Sequence, residues 1–143
     1  MEQFTQYIEF VTNNIFLFAA LCLVLALLAH NLWMGGGKFG ITPQKATELI
    51  NREDAVIVDV RPIADFSKGH IINAVNIPMN GLKNQLGRLD KYKQKPVIVA
   101  CRSGAQSAGA GKQLRNAGFE KVYDLKGGIM AWQSASLPIS HKS

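Results

Sequence analysis

The chain has 143 residues, with 16 Lys and Arg against 10 Asp and Glu, a net charge of +6, and 48% apolar residues. That length holds one modest domain and little beyond it. Two cysteines and three scattered histidines provide neither a disulfide framework nor metal-ligand spacing, so no metal and no cofactor is expected.

Residues 1–14 contain Glu2 and Glu9 and no Lys or Arg, and are read as a short N-terminal tail. Phe16 to Ala29 then run without a polar side chain, and extension to Ile15 and Met34 gives 20 residues. As a helix this segment would measure about 30 Å, the thickness of a hydrocarbon core. The sequence therefore predicts one transmembrane helix over 15–34, with Trp33 at an interface. Two rival readings are weaker. A cleaved signal peptide wants an early positive charge and a small-residue cleavage site, and Leu27-Leu28-Ala29-His30 offers no such site. A buried core helix would need some polar face, which this run lacks. Residues 35–41, opening with Gly35-Gly36-Gly37, read as a flexible linker.

Every Lys and Arg lies at or after Lys38, so the positive-inside bias puts the N-terminus outside and the following domain in the cytoplasm. From Lys38 onward there are 16 basic and 8 acidic residues, 16 − 8 = +8. These charges are scattered, only Lys91, Lys93 and Lys95 being grouped, and no nucleic-acid-binding motif accompanies them. The expected partner is an anionic lipid surface, with no nucleic acid. A reducing compartment agrees with a free thiol.

Residues 42–138 read as an α/β domain and 139–143 as a C-terminal tail. Thr42 is an N-cap with Pro43 at the first helical position, opening a helix through Ala46, Leu49 and Ile50. Ala55 to Val60 is a buried strand. Pro62 to Lys68 forms a short helical turn closed by Gly69, and Ala74 to Ile77 a short strand ended by Pro78. Leu82, Leu86 and Leu89 mark a helix, and Val97 to Ala100 a second apolar strand. Gln106 to Asn116 is helical, capped by Gly118. Lys121 to Leu125 is a last strand, and Gly127-Gly128 begins a terminal helix with Ile129, Met130 and Trp132. Strands alternating with helices require a layered α/β structure with a mainly parallel sheet.

The heptapeptide Cys101-Arg102-Ser103-Gly104-Ala105-Gln106-Ser107 is the candidate site. A cysteine at the end of a buried strand, on a tight loop feeding a helix, faces converging backbone N–H groups and the helix dipole, which favour an anionic nucleophile. A cysteine in that place is also often a small buried hydrophobe with no chemistry. The Arg-Ser-Gly that follows shifts the balance toward the nucleophile.

Several stretches together resemble the rhodanese family. They are Val58-Asp59-Val60-Arg61, then Asp65-Phe66 with Gly69-His70-Ile71, Ala74 and Asn76-Ile77-Pro78, then Cys101-Arg102-Ser103-Gly104. The closing segment adds Gly118-Phe119, Val122, Leu125, Gly127-Gly128 and Trp132. The resemblance implies a three-layer domain with a central parallel sheet, behind one membrane helix in a bacterial inner membrane. It implies a sulfurtransferase in which Cys101 takes sulfane sulfur from thiosulfate or a persulfide and passes it to a thiol acceptor. The amides of Arg102, Ser103, Gly104, Ala105, Gln106 and Ser107 would cradle the persulfide, Arg102 would attract anionic donors, and Ser103 would add a hydrogen bond. The six-residue loop, Cys101 to Gln106, suits sulfur, whereas related dual-specificity phosphatases use a longer loop clamped by an arginine. Many active sulfurtransferases carry Arg where this chain has Gln106, which weakens attraction for thiosulfate more than for a persulfide. Asp59, Arg61 and His70 read as structural support, and Lys126 as a residue at the pocket rim.

Two functions compete. One is a membrane-anchored sulfurtransferase acting through a Cys101 persulfide. The other is a non-enzymatic module at the membrane that binds a partner, a membrane protein among them, or senses redox state. The retained Cys-Arg-Ser-Gly loop favours the first, and Gln106 and the anchor favour the second.

Overall fold

The computed structural model describes residues 1–34 (31–34 by backbone only) and 38–142. It divides into two units, residues 1–34 and residues 35–143. The Gly35-Gly36-Gly37 tether and the Trp33 side chain fall outside the described residues.

In the first unit the segment read as a tail is helical: α1 spans Glu2–Asn13, and α2 spans Ile15–Met34. The helices break at Asn14, whose Nδ2 donates to the Phe10 carbonyl at 2.8 Å. Counted to His30, α2 has 16 residues, and among the described residues no single helix is long and apolar enough to cross a membrane. The pair Glu2–Asn13 and Ile15–His30, bent by 77°, meets that length and composition jointly. The large apolar side chains of α2, among them Phe16, Leu17 and Leu23, are exposed.

The second unit is a parallel sheet between two helical layers. β1 (Gly40–Ile41), β2 (Val56–Asp59), β4 (Val75–Asn76), β5 (Val97–Ala100) and β6 (Val122–Leu125) form five strands in the order β1-β6-β5-β2-β4. Every pairing in this sheet is parallel, with Val58 opposite Val99 and Val97 opposite Val122. The side-chain period of two sends alternate residues of β5 to opposite faces. Val97 and Val99 join Leu82, Leu89, Ala110, Leu114 and Phe119 on one face, while Ile98 and Ala100 join Ala46, Leu49, Ile129 and Trp132 on the other. Residues of β5 are fully buried, which is why its sequence is continuously apolar rather than alternating.

The helices are α3 (Pro43–Glu53), α4 (Ile63–Lys68), α5 (Leu82–Gln85), α6 (Ser107–Asn116) and α7 (Gly128–Ser134). Thr42 caps α3, its Oγ1 accepting from the Lys45 amide at 3.2 Å. The helix expected over Leu82 to Leu89 is one α-turn followed by a 3₁₀ segment, Leu86–Tyr92. Its leucines are spaced four and then three apart, which suits either winding, and Leu82 and Leu89 are fully buried in both.

Two domain limits differ from the sequence reading. Gly40–Ile41, assigned to the linker, pair with Asp124 and Leu125 at the sheet edge. Ile139–Ser140, assigned to the tail, form β7, antiparallel to β3 (His70–Ile71). Two-residue strands are recruited by backbone pairing alone and leave no periodic trace in the sequence. On the β1 edge, the Arg115 guanidinium lies 3.5 Å from the centre of the Phe39 ring. Asp124 shares that edge, and burial raises its pKa while the Arg115 charge opposes the rise.

Candidate active site

Cys101 follows the last residue of β5, and its side chain is 3% exposed. The Gly104 amide donates to its Sγ at 2.9 Å, so the loop turns back on the sulfur as its sequence suggests. Ser107, at the start of α6, fixes that turn by donating its hydroxyl to the Gly104 carbonyl at 3.1 Å. The loop is also fastened to α7, because the Ile129 and Met130 amides donate to the Cys101 and Arg102 carbonyls at 2.8 and 3.1 Å. Gly128 makes this fastening possible. Its φ is +59°, and a Cβ there would overlap the Cys101 carbonyl oxygen and lie 2.7 Å from the Arg102 carbonyl carbon. Only glycine admits both the conformation and the approach.

The sulfur opens onto a cavity of about 260 Å³ lined by Arg61, Pro62, Asp65, Arg102, Ser103, Ala105 and Gln106 with Cys101 itself. Arg102, Ser103, Ala105 and Gln106 are exposed at its rim. Lys126, expected at the rim, does not line it.

Beneath the loops, Asp59 and Arg61 form a buried pair. Arg61 Nη2 lies 2.7 Å from Asp59 Oδ2, its Nε lies 3.0 Å from Oδ1, and the Arg61 amide also donates to Oδ1 at 3.0 Å. The same Nη2 donates to the Gly69 carbonyl at 2.8 Å. Arg61 thus ties the end of β2 to the end of α4, and its charge is balanced by Asp59. Asn76 completes the tie, its Nδ2 donating to the carbonyls of Asp59 and Arg61 at 3.0 and 2.9 Å.

His70 is placed elsewhere. It is 4% exposed, its ring stacks on Phe66 at 3.8 Å, and Nδ1 pairs with the Phe66 carbonyl at 2.8 Å, the Nδ1–H tautomer donating. It does not line the cavity at Cys101. The sequence names Asp65 and Gly128 within the family resemblance but gives neither a role at the site: Asp65 enters through the short helix α4, and Gly128 reads in the sequence only as the start of the terminal helix. Among the described residues no cluster of His, Cys, Asp or Glu is arranged to hold a metal ion.

The chain is similar to known proteins in sequence and in fold. The family described as Rhodanese-like domain covers residues 42–135. Over 100 residues the chain is 46% identical to the uncharacterized protein YibN of Escherichia coli strain K12, spanning 69% of this chain and 70% of that one. The thiosulfate sulfurtransferase GlpE of Glaesserella parasuis serovar 5 is 40% identical over 101 residues, 69% of this chain and 90% of its own. Among solved structures, a rhodanese-related protein from Thermoplasma volcanium aligns with a TM-score of 0.65 at 28% identity, covering 72% of this chain and 98% of that one.

Proposed function

The chain belongs to the Rhodanese-like domain family, and we propose that it is a membrane-anchored sulfurtransferase that carries sulfane sulfur as a Cys101 persulfide. The observation carrying this reading is the Gly104 amide 2.9 Å from Cys101 Sγ, at the floor of a cavity able to admit a small donor. In the first half-reaction the Cys101 thiolate attacks the outer sulfur of thiosulfate. The new Cys–S–S⁻ bond forms as the old S–S bond breaks, and its electron pair leaves with sulfite. In the second, an acceptor thiolate attacks the outer persulfide sulfur, takes it as R–S–S⁻ and returns Cys101 as the thiolate. The Gly104 N–H faces sulfur throughout, stabilising negative charge there. A persulfide donor, R–S–S⁻, enters by the same first step and releases R–S⁻.

Intact-mass measurement of the full chain in detergent, after incubation with thiosulfate or a low-molecular-weight persulfide, tests this. A gain of about 32 Da that vanishes in Cys101→Ser is expected for a covalent intermediate on this sulfur. No adduct with any donor, on protein shown to be folded, rejects sulfur transfer and leaves the membrane-held binding module.

The location proposed is a bacterial inner membrane, N-terminus outside and the α/β unit in the cytoplasm. It is supported by the unbroken apolar run of α2 and by the confinement of all Lys and Arg to residues from Lys38 on. Reporter fusions at each terminus test it, and a cytoplasmic N-terminus would reverse it.

A further inference from the structure

The helix α1 has no part in the steps above, and none of its residues is buried. Phe4, Tyr7, Ile8 and Val11 stand at the spacing that aligns side chains on one helix face. Phe10 flanks that stripe, and Glu2, Gln6, Glu9 and Asn13 occupy the opposite face. An exposed apolar stripe of this length marks an interaction surface, and the bend that follows says what covers it. Asn14 ends α1 through the bond from its Nδ2 to the Phe10 carbonyl. Its own carbonyl accepts from the Leu17 and Phe18 amides at 2.9 and 3.1 Å, so the same residue begins α2. The two helix axes differ by 77° there. Phe10 meets Phe18 across the bend, edge to face with ring centres 6.2 Å apart, so the apolar side of α1 runs into the exposed apolar surface of α2.

From this we infer that α1 lies flat in the lipid–water interface on the side of the membrane opposite the α/β unit, its apolar stripe among the upper acyl chains and its acidic face in water. The inference rests on the reading of α2 as a membrane span. With α2 near the membrane normal, a helix bent 77° away from it runs close to the membrane plane. An ordinary tilt of about 20° keeps it near that plane. Charge sets the depth. Glu2 and Glu9 would be dehydrated if α1 entered the hydrocarbon as the first half of a broken span, whereas on the face away from the stripe both stay in water. The same two carboxylates, with no Lys or Arg in the segment, give α1 no attraction to anionic lipid. The partner that fits is therefore a zwitterionic lipid surface, held by apolar burial and insensitive to salt. Seated there, α1 fixes the level at which α2 enters the bilayer, because Asn14 stands at the junction.

The experiment uses the full chain carrying Cys22→Ser and Cys101→Ser, reconstituted in phosphatidylcholine vesicles. One nitroxide label at a time is attached through Phe4→Cys, Gln6→Cys, Ile8→Cys, Glu9→Cys or Val11→Cys, with Leu23→Cys as the reference inside α2. Collisions of each label with oxygen and with a water-soluble nickel chelate are read. All six side chains are exposed, so labelling disturbs no packing. Labels at Phe4, Ile8 and Val11 are expected about 5–10 Å below the headgroup level, meeting oxygen more than nickel. Those at Gln6 and Glu9 are expected in water, with the reverse preference. Phe4→Glu combined with Ile8→Glu should return the Val11 label to water, a shift of the same size; a label that stays buried overturns the inference. Nickel access at every position of α1 overturns it, as does oxygen access without nickel at every position, the mark of a broken span. A stripe closed to both reagents overturns it in favour of a second protein copy. In each of these cases the Leu23 label still reports hydrocarbon. A Leu23 label open to nickel overturns the membrane anchor itself, and the placement of α1 with it.

Discussion

Gly128→Ala tests whether α7 sets the shape of the reactive loop. The added methyl group meets backbone, the carbonyls of Cys101 and Arg102, rather than a side chain that could swing away. A positive φ in a residue with a Cβ costs about 1–2 kcal/mol. Moving the loop aside also weakens the Ile129–Cys101 and Met130–Arg102 hydrogen bonds, each worth about 0.5–1.5 kcal/mol. The expected loss is therefore about 2–4 kcal/mol, a large part of a marginal stability. Gly118→Ala is the internal control, since Gly118 also has a positive φ, +97°, but no atom within 4 Å of its Cβ position. It should cost only the backbone strain, about 1–2 kcal/mol, and should not touch the loop. The assay is equilibrium urea unfolding of the full chain in detergent. Fluorescence of the buried Trp132 is read in a Trp33→Phe background, and persulfide loading is measured alongside. Gly128→Ala should lose loading under conditions where it is still folded, whereas Gly118→Ala should load normally. Equal destabilisation of the two variants, or normal loading by Gly128→Ala, would refute the argument that α7 shapes the loop.

Two further outcomes follow from charge. Asp59→Asn leaves the Arg61 guanidinium buried without its counter-charge and should cost about 3–5 kcal/mol by the same unfolding assay; the Asp59→Asn, Arg61→Met double variant should recover part of that loss, and no recovery would mean the cost lies elsewhere. Asp124 has its folded pKa raised by burial, more than Arg115 lowers it, so the native state holds the proton more tightly than the unfolded chain. The stability it contributes is thus complete below the ordinary carboxylate range and is lost as pH rises through the raised value. Asp124→Asn should flatten that part of the profile of Tm against pH and raise Tm at neutral pH; an unchanged slope would show that Asp124 is not its source.

What the sequence made legible depended on the length of the pattern. β5 announces itself because four consecutive buried residues leave an apolar run, and β2 because the run Val56-Ile57-Val58, half-buried and then buried, leads into the buried Asp59. The turn of the Cys101 loop onto its own sulfur was legible too, since strand, glycine and helix follow one another within a few residues. The two-residue strands β1 and β7 were not, because nothing distinguishes two paired residues from a linker or a tail. Gly128 was visible as the start of a helix, but the carbonyls that forbid a side chain there belong to a loop more than twenty residues earlier.

Topology explains why these separate pieces meet. From the edge strand β1 the chain crosses to β2 and runs outward to β4, then returns across β2 to β5 and outward the other way to β6, beside β1. The connections therefore diverge between β2 and β5, and in open parallel sheets the crevice beyond the carboxyl ends at such a reversal is where ligands bind. Asp59 and Arg61 stand at the end of one of these strands, and Cys101 at the end of the other. The charge in that crevice then bears on the choice between sulfur and phosphorus. Arg61 is committed to Asp59, Gln106 is neutral, and Arg102 has no ion-pair partner among the described residues. A phosphorylated cysteine would place two negative charges where the nucleophile had one, with no second uncommitted cation at this cavity to offset the change. Sulfur transfer makes no such demand. The attacking thiolate carries one negative charge and the persulfide that replaces it also carries one, displaced outward by a single bond. A single amide donor close to the sulfur, with one exposed guanidinium at the rim, suits a charge that moves without growing.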